Sequence, residues 1–162
     1  MTFRTVARAA LAATACVVGG CEGATAPYLP STDLPLAEQV PTAGLTARRV
    51  ANVRGYADGA VVNVPAAARA GEPVAVSVTT YGGGCISEDT TVVTVAGARA
   101  DVVPYQRVYT PRANEACTDE LRINPRQLRL TFAAPGAARV VVTGRASPGD
   151  SLVQIVRAVD VR

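Results

Sequence analysis

The 162-residue sequence predicts an all-β fold: one antiparallel β-sandwich of about seven or eight strands, with a small β-barrel as the alternative. Three observations point there. Apolar and polar residues alternate in run after run, the mark of a half-buried strand. Turn signals built on Gly, Pro and Asp separate the runs at intervals of about 8–12 residues. The apolar set is mostly Val and Ala, with two Phe and no Trp, and β-branched side chains suit a pleated surface better than a helix.

Taken in order, "RVANVRG" (49–55) and "AVVNVP" (60–65) read as a strand pair around Tyr56-Ala57-Asp58-Gly59. The Asp-Gly of that connection is a hairpin signal. "PAAARAGEP" (65–73) has room for one helical turn at most. "PVAVSVTT" (73–80) alternates Val74, Val76 and Val78 against Ala75, Ser77 and Thr79. Strands follow at 91–97, at 100–108 and at 127–133, where Leu128, Leu130 and Phe132 share a face, and then at 138–145 and 151–162. The turns between them hold Gly71-Glu72-Pro73, Ala96-Gly97, Pro135-Gly136 and Ser147-Pro148-Gly149-Asp150. "LTFAAPGAARVVVTG" (130–144) resembles the late strand–turn–strand of bacterial immunoglobulin-like domains, which implies an Ig-like architecture.

The first 21 residues are an address. Arg4 and Arg8 form a positive segment, Ala9 to Val18 an apolar stretch too short for a stable membrane span, and small residues precede Cys21. Val18-Gly19-Gly20-Cys21 resembles the lipobox of bacterial lipoproteins. The resemblance implies that Cys21 is diacylated and becomes the mature N-terminus, and that the protein is exported and faces the periplasm or cell surface. Glu22, in place of the Asp that retains many lipoproteins at the inner membrane, directs the expectation to the outer membrane. Cys16 is a competing position without the aliphatic residue, and cleavage near Ala24 to Ala26 is the alternative without a lipid. The expected organisation is thus a signal peptide (1–20), a lipidated cysteine with a Pro- and Ala-rich tether (21–46) and a β domain (47–162).

Setting aside Arg4 and Arg8, 14 Arg stand against 13 Asp and Glu, a balance that makes no electrostatic case for nucleic acid. Two cysteines remain beyond the signal region, Cys85 and Cys117, and in an oxidising compartment two such cysteines pair. A bridge closing about 30 residues contributes roughly 3.5–4 kcal/mol by chain entropy. The run Tyr81-Gly82-Gly83-Gly84-Cys85 is then a joint that lets the chain turn sharply toward Cys117. A phosphate loop is the other reading of three glycines, but it needs a lysine, and the chain has none. Cys–His and Ser–His catalysis need a histidine, and the chain has none of those either. The sequence therefore predicts no cofactor and no metal.

Carboxylates are the catalytic class left. Glu88, Asp89, Asp101, Asp119 and Glu120 flank the two ends of the bridge, with Arg112, Arg122, Arg126 and Arg129 close in sequence. Gathered in a concave pocket, these acids would suit a glycosidase-like pair or a Ca²⁺-dependent sugar binder; dispersed, they are surface ion pairs. The leading expectation is non-catalytic: an envelope domain that binds a protein or glycan through Tyr81, Tyr105, Tyr109 and Arg112 in the disulfide-pinned 81–126 region. A structural accessory subunit of an envelope complex is the further alternative.

Overall fold

The structure, a computed structural model, describes residues 38–54 and 61–162. The expected signal peptide, Cys21, most of the tether and the Tyr56–Gly59 turn lie outside the described residues. The described chain is all-β. Its strands are β1 (Thr46–Val50), β2 (Asn52–Arg54), β3 (Val62–Asn63), β4 (Ala67–Ala68) and β5 (Pro73–Gly82), followed by β6 (Ile86–Ala96), β7 (Arg99–Tyr109), β8 (Arg122–Thr131), β9 (Gly136–Ala146) and β10 (Leu152–Val161). The count exceeds seven or eight because four of them, β1 to β4, are short pieces of two to five residues.

Three long antiparallel ladders form the body. β5 pairs with β8 from Pro73↔Thr131 to Gly82↔Arg122. β6 pairs with β7 across the two-residue loop Gly97–Ala98, and β9 pairs with β10 from Gly136↔Val161 to Arg145↔Leu152. The second and third ladders join through β7 and β9, which run parallel from Arg99↔Arg139 to Val102↔Val142. Parallel neighbours need a crossover between them, and here β8, laid against β5, takes the place usually held by a helix. β2 then links the two groups, meeting β5 at Asn52↔Tyr81 and β9 in parallel at Asn52↔Arg145. The result is one curled, mixed sheet of ten strands, with parallel ladders at β7/β9, β2/β9 and β4/β10, where a wholly antiparallel arrangement was expected.

The curl brings inner faces together. Val74, Val76 and Val78 of β5 pack in one cluster with Val102 of β7, Leu130 of β8, Val140 and Val142 of β9, and Ile155 and Val159 of β10. Each fully buried valine of this kind contributes about 1.5 kcal/mol or more. A strand pair needs close backbone approach at one point: a Cβ on Gly144 would stand 2.2 Å from a methyl of Val53, so glycine lets β2 lie across β9. A smaller cluster of Val50, Val103 and Tyr105 covers the opposite face of β7.

Two expectations change. The 65–73 segment holds no helical turn; its Ala67–Ala68 pairs with Asp160–Val161 of β10 instead, because a sheet edge there offers hydrogen-bond partners to the backbone. The domain also begins before Ala47. Gln39 N–H donates to Arg48 O and its side chain accepts from Arg48 N–H, both at 2.8 Å. A turn at Thr42–Leu45 then delivers the chain into β1, so residues 38–45 belong to the β domain.

Candidate functional site

The triple glycine is a corner. Gly83 and Ile86 bond each other's backbones at 3.2 and 2.9 Å, after which β5 and β6 part company, one toward β8 and the other toward β7. Gly83 and Gly84 sit at φ +126° and +56°, a region that favours residues without Cβ. A Cβ on Gly83 would stand 1.8 Å from Glu120 O, and one on Gly84 2.4 Å from Thr118 O. The returning chain therefore passes directly over the glycines, and Cys85 and Cys117 come to disulfide-bonding distance, with their Cα atoms 5.3 Å apart. Asn52, Tyr81, Gly83, Thr118, Asp119 and Glu120 line a hollow of about 230 Å³ at this corner.

Below the corner, β6 carries a bulge. Glu88 faces Gln106 and Thr91 faces Pro104, so Asp89 and Thr90 together oppose Tyr105 alone. The bulge interrupts the ladder, and Arg126 of β8 donates into the break. Its guanidinium donates to Tyr105 O at 2.7 Å, Asp89 O at 2.8 Å, Thr91 Oγ1 at 3.1 Å and Thr80 Oγ1 at 3.1 Å. Arg126 is buried, which lowers its pKa, while the charges of Glu88 and Asp89 act the other way. On the outer face, Arg48 lies 3.8 Å over the Tyr105 ring and 3.3 Å from Asp89, which also pairs with Arg107 at 3.7 Å.

The candidate contact residues divide. Tyr81 and Tyr105 are 3 % and 4 % exposed, so they are core residues and present no contact surface. Tyr81 belongs to the main cluster where β2 closes over β5, and Tyr105 lies beneath Arg48. Tyr109 and Arg112 do reach the surface of the disulfide loop. There the Tyr109 hydroxyl and the Arg112 N–H both donate to Glu115. The Tyr109 hydrogen bond, followed by that of the Arg112 N–H, lowers the Glu115 pKa; the same tyrosine bond raises that of Tyr109.

The five acids do not converge on one pocket. Asp101 is held bidentately by Arg99 near the β6–β7 turn, Asp89 lies between Arg48 and Arg107, and Asp119 and Glu120 line the corner hollow. Glu120 is paired with Arg122 at 2.9 Å. Among the described residues, no three His, Cys, Asp or Glu side chains gather where a metal ion would fit. An open hollow of about 530 Å³ lies at the other end of the domain, lined by Pro65, Ala68, Val74 and the arginines Arg69 and Arg162. Each of those arginines already faces an acid, Glu72 and Asp160.

Sequence reading missed Glu38 and the inward role of Arg126. Arg126 shares parity with Leu128 and Leu130, so extending their alternation by one step would have placed it inside. Glu38 left no such signal. It accepts from Arg145 at 2.6 and 3.1 Å and from Val50 N–H at 2.8 Å, contacts set by chain segments far apart in sequence. No protein family, no curated protein and no solved structure matches this chain.

Proposed function

We propose that this protein is a lipid-anchored component of a bacterial cell envelope, held at the outer membrane through Cys21, whose Ig-like β domain binds or braces a protein or glycan partner without catalysing a reaction. The observation that carries the reading is the N-terminal order: Arg4 and Arg8, the apolar Ala9–Val18, then Val18-Gly19-Gly20-Cys21. Two acyl chains on one cysteine anchor firmly, since each buried methylene contributes about 0.8 kcal/mol. The roughly 17 residues from Cys21 to Glu38 reach at most about 60 Å, enough to hold a domain clear of the lipid headgroups.

The arrangement of charges supports a binding role over hydrolysis. Asp89, Asp101 and Glu120 are each engaged by an arginine rather than facing one another across a pocket. The chain enters the domain at Glu38, beside Asp150 of the β9–β10 turn. In cells expressing the full chain, Cys21→Ala is expected to move the protein from the membrane pellet to the soluble fraction. Persistence of the variant in the pellet after a carbonate wash overturns the anchor.

A further inference from the structure

We infer that the lower half of β6, from Thr91 to Ala96, is a self-association edge, to which a second copy of this chain adds its own β6 in antiparallel register. β6 pairs with β7 on one side, and among the described residues no strand is paired to its other side. Val92, Val93 and Val95 are 45 %, 37 % and 38 % exposed. Successive residues of a strand point to opposite faces, so this half of β6 stands clear on both faces as well as along its edge.

Natural edges are blunted by charge, by proline or by a bulge. β8, the other long strand with a single ladder partner, has Pro125, Arg122 and Arg129. The outer side of β10 is partly covered by β4. The bulge of β6 lies above, at Asp89–Thr90, while Thr91 to Ala96 pair with β7 in unbroken register. From Thr90 to Ala98 the chain carries neither charge nor proline. The neutral surface continues into a hollow of about 340 Å³ lined by Val95, Ala98, Ala133, Ala134 and Pro135.

A second copy fits this edge because the edge is neutral, and two-fold pairing of a strand with itself repels only where the strand carries charge near the axis. Antiparallel pairing about a two-fold axis at Thr94 sets Val93 of one copy opposite Val95 of the other, and Val92 opposite Ala96. In this register no like charges meet, because Thr91 to Ala96 carry none. β8 paired with itself would instead bring arginines together. The association is isologous and closes as a dimer, so it does not propagate.

The reading does not depend on Cys21 and is tested on the purified full chain. Thr94 on the axis would have its partner Cα at about 4.5–5.5 Å, within the reach of a disulfide. Thr94→Cys under mild oxidation is expected to give a covalent homodimer, at least about tenfold more than Gln127→Cys on the exposed face of β8. Adding Val93→Arg to Thr94→Cys is expected to reduce the dimer about tenfold, and the unaltered chain is expected to sediment as a concentration-dependent dimer. A Thr94→Cys protein that stays monomeric, or links no better than Gln127→Cys, overturns the proposal. In cells expressing Thr94→Cys, a mixed disulfide with another envelope protein and no homodimer also overturns it and would make the edge a site for a foreign strand.

Discussion

Arg126 shows how this protein uses its only cationic residue type. A guanidinium has five donors in a fixed fork, and the bulge of β6 interrupts the ladder with β7 beside Tyr105. Arg126 reaches Tyr105 O, Asp89 O and two threonine hydroxyls at once, joining β8 to β6 and β7. Arg157 makes a similar tie from β10 to Val62 O of β3 at 3.3 Å. Truncation of Arg126 leaves buried acceptors unserved at about 1–3 kcal/mol each. Arg126→Ala is therefore expected to lower stability by about 3 kcal/mol or more, read as a reduced urea midpoint. Arg126→Lys is expected to recover only part of this, because an ammonium cannot span the same acceptors. The burial of Arg126 was open to a reading of parity with Leu130, whereas its partners were not, since Thr80 and Tyr105 lie 46 and 21 residues away.

At the scale of elements, the informative place is the corner between β5 and β6. Three glycines before a cysteine were legible as a joint beside a disulfide, and the 5.3 Å Cα separation of Cys85 and Cys117 agrees with that reading. What the glycines accommodate was not legible, because Thr118 and Glu120 arrive from the far end of a loop. Gly83→Ala, with backbone 1.8 Å from its Cβ and φ at +126°, is expected to cost about 2–3 kcal/mol. Gly97→Ala at φ +56° meets nothing within 4 Å and is expected to cost about 1 kcal/mol. Thermal unfolding of the two variants side by side measures the difference, and equal losses would remove the close approach as its cause. The strand at 73–80 follows its alternation closely, whereas 102–106 of β7 and 140–144 of β9 are buried without a break, because these strands are covered on both faces. The first half of β6 escaped the alternation because it is bulged, and β8 keeps the alternation of faces but places Ile123 outside and Arg126 inside.

At the scale of the whole molecule, Glu38 clips the entering chain to the domain. Burial alone would raise its pKa; hydrogen bonds from Arg145 and Val50 N–H, with the charges of Arg145 and Arg49, lower it below the ordinary 4.5. The remaining facing group is Asp150, which pairs with both arginines. A carboxylate with a depressed folded pKa contributes stability that is present above its unfolded pKa and is lost as pH falls through the folded value. Stability is thus expected to decline below about pH 4.5. Glu38→Gln is expected to flatten that part of the profile and to increase proteolysis near residues 38–45 at neutral pH. An unchanged acid limb would assign the decline to other acids.

Alternation, turn residues and a Val-rich, aromatic-poor composition determined by themselves that the domain is built of strands, because each is a local property with a local cause. The sequence likewise shows by itself that no step here can use a lysine or histidine side chain of this chain. Only the tertiary structure decided which strands neighbour one another, which ladders run parallel, and why an arginine lies within the sheet while valines stand out along β6. The physical reason is that strand pairing joins residues distant in the chain. A backbone carbonyl beside a bulge on one strand takes its donor from another, and no local pattern records that choice.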